Sequence, residues 1–103
     1  MLLIKVSPAS VDVNVDRNAT NEHVCTFRVE NISSGPVTTT YTSDHPALVP
    51  NVSGGTVPAG GAGSVSVFYK VPQNQPFSAS LTVKATTPEG EQNVKVPIKI
   101  GLK

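Results

Sequence analysis

The sequence of 103 residues has few side chains suited to redox or metal chemistry. It contains one cysteine, Cys25, no tryptophan, and only 15% charged residues with a net charge of +1. A single cysteine excludes an internal disulfide and a cysteine-based metal site, and it favours a reducing compartment. The balanced charge gives no indication of nucleic acid or of a membrane surface as a partner.

The beginning of the chain lacks a long apolar run. "MLLIKVSP" has only Leu2, Leu3 and Ile4 between Met1 and the first lysine, which is too short for a signal peptide or a membrane span. We therefore expect a cytoplasmic protein or a piece trimmed from a larger one, with no direct membrane insertion. Sequons at Asn18, Asn31 and Asn51 would instead suit an extracellular protein, and this alternative stays open.

No window of the sequence has a helical period, whereas short alternating runs recur between turn signals. The clearest run is His23–Glu30, in which Cys25, Phe27 and Val29 share one face. The remaining runs are 2–7, 11–15, 36–43, 63–71, 77–85 and 94–100. The spacing predicts an all-β chain of seven or eight short antiparallel strands, arranged as two packed sheets in a single domain, residues 1–103.

The alternation also predicts which residues are buried and where an edge lies. We expect Leu48 and Val49 to point inward from the irregular "SDHPALVP". Pro97 has no N–H to donate, so that side of its strand should face solvent, a bulge or the sheet rim. Lys95 and Lys99 flank it, as is typical of a protected edge. The predicted core comprises Phe27, Val29, Val65, Val67, Leu81, Val83, Val96 and Ile98.

A glycine-rich stretch, "NVSGGTVPAGGAGSVSVFY", spans residues 51–69. A phosphate-binding loop would need a following helix and a GxGxxG or Gly-Lys-Ser/Thr motif. An alternating strand follows instead, so we interpret the glycines as two turns around an inward-pointing Val57. Pro58 should occupy the first corner of the second turn.

Four residues are candidates for metal or acid–base chemistry: His23, Cys25, Asp44 and His45. Their spacing matches no zinc signature, and Asp44 fits a hydrogen-bonding role in the "SDHP" turn. The chain has no GxSxG elbow and no local cysteine-protease signature. We predict a protein that is not an enzyme and needs no cofactor.

Two groups of residues are candidates for partner binding. Thr38, Thr40 and Thr42 alternate with Thr39 and Tyr41, and we take Thr38, Thr40 and Tyr41 as candidate contacts; an ordinary solvated strand would have the same pattern. Lys84, Lys95, Lys99 and Lys103 concentrate near the C-terminal end, where Lys95 and Lys99 are further candidates. Self-association could use an edge at Lys95–Ile100 or the N-terminal strand.

Several segments, taken in order, resemble one family. They are "SPASVDV", "CTFRVENISSGPV", "PALVPNVSGGTVPAGGAGSVSVFY", "FSASLTVKA" and "VKVPIKIGL". In this order the chain resembles the immunoglobulin-like PapD-like superfamily, and it is similar to Hydin-type (ASH) and major sperm protein-type (MSP) domains.

The resemblance implies a seven-stranded sandwich that binds proteins and catalyses nothing, in a cytoskeletal, ciliary or centrosomal protein. The peptide-binding subgroup carries a basic "K-x-T-x-P" strand where this chain has "TTTYTSDHP". The missing lysine favours the Hydin-like or filament-forming branch. The alternative is an extracellular adhesive or carbohydrate-binding sandwich that would use Thr38, Thr40, Tyr41 and the Asp44-His45 loop.

Overall fold

The computed structural model describes residues 2–103 as strands joined by turns and short loops. The strands are β1 Ile4–Ser7, β2 Val11–Val15, β3 Glu22–Asn31, β4 Val37–Ser43, β5 Leu48–Pro50, β6 Gly54–Val57, β7 Ala62–Tyr69, β8 Phe77–Thr87 and β9 Gly90–Leu102. The prediction of an all-β chain is confirmed.

The strands form two sheets that pack face to face, as the alternating runs predict. The four-stranded sheet has the order β1-β3-β7-β5, and the five-stranded sheet has the order β2-β9-β8-β4-β6. All neighbouring strands are antiparallel except β2 and β9, which run parallel with Val11 opposite Ile98. The chain changes sheets between β1 and β2, which are consecutive strands.

The described residues form nine strands, rather than the seven or eight predicted, because two short strands lie in segments without an alternating pattern. These are β5 and β6, of three and four residues. Leu48 of β5 is buried as predicted, but Val49 is 39% exposed, so its predicted inward position is wrong. Successive residues of a strand point to opposite faces, and only one of the two can enter the core.

The core lies between the two sheets, and its predicted composition is confirmed. The eight residues named from the sequence are each at most 2% exposed. Tyr69, Val15, Val37 and Ile100 join them among the fully buried side chains. Tyr69 is also tied to the loops, since its hydroxyl donates to the Arg17 carbonyl at 3.0 Å.

The alternation predicted for β3 fails at its first residues. The pairing of β3 with β7 shifts by one residue between His23 and Cys25. Val24 is consequently buried, whereas Cys25 is half-buried at the margin of the core. An extra residue of this kind is a β-bulge, which changes the face that each following side chain takes.

The glycine-rich stretch contains the strands β6 and β7 and one turn between them, so the first of the two predicted turns is wrong: its glycines belong to β6. Val57 is 3% exposed, which confirms its inward position. The Gly61 N–H donates to the Pro58 carbonyl at 2.9 Å, so Pro58 begins the turn and Ala59 and Gly60 are its corners. The prediction of Pro58 as a corner is therefore wrong by one residue. Gly60 has a φ of 72°, a conformation that favours glycine.

Asn31 fastens the loop after β3 to the loop after β6. Its side chain is 2% exposed. Its Nδ2 donates to the carbonyls of Gly35 and Val57, both at 2.9 Å, and its Oδ1 accepts from the N–H and the hydroxyl of Ser33. Both hydrogens of the Asn31 amide therefore donate to backbone carbonyls, so the fold already engages the side chain of this sequon.

Candidate protein-interaction face

The outward positions of β4, β8 and β9 form a broad polar surface, which we call the outer face of the five-stranded sheet. Thr40 lies opposite Lys84 of β8, and Lys84 lies opposite Asn93 of β9. One step along the strands, the corresponding row is Thr42, Thr82 and Lys95. Hydroxyl, amide and ammonium groups therefore lie side by side on this face.

Four of the five predicted partner-binding residues lie on this outer face. Thr38 and Thr40 are exposed on β4, and Lys95 and Lys99 are exposed on β9. With β8 between them, β4 and β9 are about 10 Å apart, since neighbouring strands are separated by about 4.8 Å. Along the strands Lys95 lies in register with Thr42, and Lys99 lies four residues, about 13 Å, further along β9, so a partner must extend over the face to contact both groups.

Tyr41 is placed differently. Its side chain points to the sheet interior and is 6% exposed. The buried Thr39 hydroxyl donates to the Tyr41 hydroxyl at 2.9 Å. Tyr41 thus supports β4 from inside the sandwich and contributes no ring to the outer face.

The outer face carries an excess of lysine over acidic side chains. Lys84 Nζ lies 3.2 Å from a carboxylate oxygen of Glu91, and both side chains are about half exposed. Within residues 2–103, Lys95 and Lys99 form no ion pair. Lys95 is therefore available to an incoming acidic group, whereas Lys99 has the exposed Asp12 of β2 as its in-register neighbour.

The backbone of β9 has one side that faces β8 and one that faces outward. The Asp44 N–H donates to the Ser80 carbonyl, so even-numbered residues of β8 bond towards β4 and odd-numbered ones towards β9. Since Leu81 lies opposite Val96, even-numbered residues of β9 bond towards β8. The odd-numbered residues face the other side, as the bond from the Lys103 N–H to the Val15 carbonyl confirms.

Only part of this side of β9 is open. β2 covers Ile98–Leu102, so the prediction of Lys95–Ile100 as a free edge is wrong for its second half. The part without a neighbouring strand presents the backbone N–H and C=O groups of Glu91, Asn93 and Lys95, and we call these three residues the open edge. Pro97 ends it, which confirms that the side of Pro97 without an N–H lies at the sheet rim.

Glu91 and Asn93 were not predicted as edge residues, because β9 begins earlier than the alternating apolar residues indicate. β9 begins at Gly90, four residues before Val94, the first apolar residue of the run. Glu91, Asn93 and Lys95 place a polar residue at every second position, and this pattern could have located the edge from the sequence.

The N-terminal strand is an edge of the other sheet, as predicted, and it is tied to β9. Gln92 lies between two open-edge residues, and its side chain points inward. Its Oε1 accepts hydrogen bonds from the N–H groups of Leu3 at 2.6 Å and Ile4 at 3.0 Å. This bridge joins the two sheets directly behind the open edge.

The candidates for metal or acid–base chemistry are engaged separately. His23 Nε2 lies 2.8 Å from Thr26 Oγ1, and the His45 ring stacks on Phe77 with centroids 4.2 Å apart. Asp44 Oδ1 accepts from the Ser80 N–H at 2.7 Å. Among the described residues, no three His, Cys, Asp or Glu side chains come together at a spacing that could hold a metal ion.

Cys25 is a poor nucleophile where it lies. Burial raises the pKa of its thiol to about 11, from an ordinary value of 9.0. The thiolate is the reactive form, so this thiol is inert near neutral pH.

The residues of the carbohydrate-binding alternative are dispersed. Thr38 and Thr40 point outward, Tyr41 points inward, and Asp44 and His45 lie in the turn after β4. Asp44 and His45 already bond to neighbouring backbone, since His45 Nδ1 accepts from the Ala47 N–H at 3.1 Å.

One negative observation concerns membranes. The part of the chain that the structure describes contains no helix long and apolar enough to span one.

The fold closely matches several solved structures. The ASH/PapD-like domain 7 of human CEP192 aligns with a TM-score of 0.81 and 10% identity over 97% of this chain and 84% of that one. WR4, a C. elegans MSP family member, aligns with a TM-score of 0.70 and 16% identity over 98% of both chains.

Pilus chaperones match over part of their length. A structure of the Salmonella enterica SafA pilin in complex with the SafB chaperone aligns with a TM-score of 0.78 and 11% identity. This match covers 100% of the present chain and 56% of the other, so the chain spans just over half of that structure. No protein-family model matches the sequence, and no curated protein matches it significantly.

These comparisons confirm the fold that the sequence resemblance implies. The chain has the immunoglobulin-like PapD-like fold that ASH and MSP domains share. The identities are all low, so the likeness concerns the arrangement of the strands.

Proposed function

We propose that this chain is a noncatalytic protein–protein interaction module that holds a protein partner on the outer face of its five-stranded sheet. The observation that carries the proposal is the exposure of Thr38, Thr40, Lys95 and Lys99 on that one face. A partner laid across β4, β8 and β9 would meet hydroxyl groups on one side and lysine ammonium groups on the other.

The chemistry of the face favours a polar partner with acidic groups. Threonine hydroxyls donate and accept hydrogen bonds, whereas lysine provides only donors and a positive charge. Charge complementarity of this kind speeds association and selects among partners more than it adds affinity. The contact is accordingly a reversible one that weakens with salt.

Matches with known domains support a binding role. The matched structures include pilus chaperones, two of them solved with a pilus subunit, alongside ASH and MSP domains. In keeping with the ASH and MSP resemblance, we propose a cytoskeletal, ciliary or centrosomal protein as the parent. A polar face that contacts only water would have the same exposed residues. Site-specific cross-linking separates these two explanations.

Site-specific cross-linking tests the proposal. A benzophenone amino acid replaces Thr40 on the outer face or, as the matched control, Ser64 on the outer face of the four-stranded sheet. We expect a discrete cross-linked protein in extracts of the source cells with Thr40 and none with Ser64. Binding of that protein, purified, should weaken on Lys95→Glu and stay unchanged on Lys70→Glu.

Two results would overturn the proposal. Equal cross-linking from Thr40 and Ser64 would mean that the outer face is not selective. Unchanged binding on Lys95→Glu together with Thr40→Glu would mean that the captured protein is held elsewhere.

A further inference from the structure

The open edge is short and closed at both ends. The Pro88–Glu89 turn limits it on one side, and β2, which starts at Val11, limits it on the other. Between these limits, Glu91, Asn93 and Lys95 have backbone groups directed outward. A strand that pairs here can form three hydrogen-bonded residue pairs with β9 and no more.

The side chains of these three residues form a self-complementary sequence. Glu91 is acidic, Asn93 is neutral, and Lys95 is basic. If a second strand with the same sequence runs antiparallel and is centred on Asn93, Glu91 lies opposite Lys95 of the second copy. Lys95 then lies opposite Glu91 of the second copy, because a two-fold axis passes between the two Asn93 residues.

The backbone geometry allows this register. Pairing of two outward-facing residues produces two N–H···O bonds, and the register centred on Asn93 forms three such pairs. Opposite charges on directly paired residues stabilise neighbouring antiparallel strands, whereas like charges destabilise them.

Other registers are poorer. A register centred on Gln92 leaves Lys95 without an opposing open-edge residue. A register centred on Val94 places Pro97, which has no N–H, opposite Glu91. Centring it on Glu91 or on Lys95 places like charges opposite each other. The Asn93-centred register is the one that keeps every hydrogen bond and both charge pairs.

We propose that two copies of this chain associate through their open edges, antiparallel and centred on Asn93, to form one continuous ten-stranded sheet. This inference rests on the proposed role of the five-stranded sheet as a contact surface, and it names a second copy as an occupant of its edge. The dimer is limited to two copies, because β2 and the hairpin turn leave no further open residues on β9. Its small contact makes it a weak dimer that forms as concentration rises.

Charge reversal tests the register. Lys95→Glu or Glu91→Lys places like charges opposite each other twice in the dimer, and each should weaken association by about tenfold. The double variant Glu91→Lys/Lys95→Glu restores opposite charges and should restore association. Sedimentation velocity over a concentration series measures this, with Lys70→Glu as the control for a change in net charge and circular dichroism as the control for folding.

Disulfide cross-linking of introduced cysteines tests the register without relying on charge. In a Cys25→Ser background, Asn93→Cys places two thiols across the two-fold axis, at a Cα separation of about 5.5 Å that a disulfide can span. With Lys95→Cys the two thiols lie about 13 Å apart along the strand, too far for a disulfide. We expect a covalent dimer from Asn93→Cys and none from Lys95→Cys.

A protein that stays monomeric at every concentration, a double charge variant that stays weak, or equal cross-linking from both cysteines would overturn the proposed dimer. These outcomes are distinguishable from failure of the proposed function. Cross-linking of another protein at Thr40 does not depend on dimer formation, and the sedimentation of the purified chain does not depend on another protein.

Discussion

The side chain of Gln92 on β9 accepts a hydrogen bond from the Ile4 N–H at 3.0 Å, and this contact joins the two sheets across the open side of the sandwich. The same oxygen accepts from the Leu3 N–H. Both donors belong to buried residues, so Gln92 supplies an acceptor that these N–H groups would otherwise lack.

Replacement of Gln92 should destabilise the fold. Gln92→Ala leaves two N–H groups of buried residues without their acceptor, and we expect a loss of about 1–3 kcal/mol in the free energy of unfolding. Urea denaturation measures the loss, with Gln75→Ala in an exposed loop as the matched control. Equal stability of the two variants would mean that water satisfies the N–H groups of Leu3 and Ile4.

The glycines of β6 offer a matched pair of substitutions. A Cβ on Gly54 would overlap the Thr39 carbonyl oxygen, whereas one on Gly55 would meet nothing within 4 Å. We expect Gly54→Ala to disrupt pairing of β6 with β4 at a cost of about 1–3 kcal/mol. Gly55→Ala should change stability by less than about 1 kcal/mol. Thermal unfolding of both variants compares them, and similar melting temperatures would contradict this account of β6.

Asn31 should behave as a structural residue. Asn31→Ala removes four hydrogen bonds from a buried side chain and should cost about 2–3 kcal/mol, against little change for the exposed Asn18→Ala. Urea denaturation of the two variants measures the difference. In a host that glycosylates secreted proteins, mass spectrometry should find no glycan on folded Asn31. Glycan at full occupancy on Asn31 would contradict the placement of its amide.

Cys25 should react slowly and in a pH-dependent manner. The pKa of its thiol is raised to about 11 by burial, whereas an unfolded chain has the ordinary value of 9.0. At pH 8 the folded protein should therefore alkylate about 100-fold more slowly than the urea-unfolded protein. The raised pKa favours the protonated thiol in the folded state. Its contribution to stability is full below pH 9 and is lost as the pH rises towards 11. Equal alkylation rates in the two states would contradict this.

The core register can be tested with two phenylalanines. Phe27 is fully buried on β3, whereas Phe68 is half-buried on the outward side of β7, beside His23. Phe27→Ala should cost about 3–5 kcal/mol in the free energy of unfolding, and Phe68→Ala clearly less. A neutral Phe27→Ala in urea denaturation would mean that the strand register is wrong.

The features predicted well from the sequence are those that depend on alternation alone. The buried positions Phe27, Val65 and Leu81 follow from period-two patterns with one apolar face. Predictions fail where local geometry overrides the pattern. The bulge at His23–Cys25 buries Val24, and the brief strand β5 leaves Val49 exposed.

Part of the candidate face could be predicted from the same alternation. The outward positions of Thr38, Thr40, Lys95 and Lys99 follow from alternation within single strands. Their convergence depends on which strands are neighbours, since β8 lies between β4 and β9. That order, and the cover of β2 over Ile98–Leu102 of β9, arise from long-range pairing that no local pattern specifies.

The central claim is that the five-stranded sheet presents an open edge for protein contact, and amide hydrogen exchange measured by NMR tests it most directly. In dilute protein, the amides of Glu91, Asn93 and Lys95 should exchange rapidly, whereas those of Gln92 and Val94 should be protected by their bonds to β8. The three exposed amides should become protected as concentration rises and a second copy pairs with the edge. Protection of all five amides in dilute protein would mean that this edge is already covered and would contradict the claim.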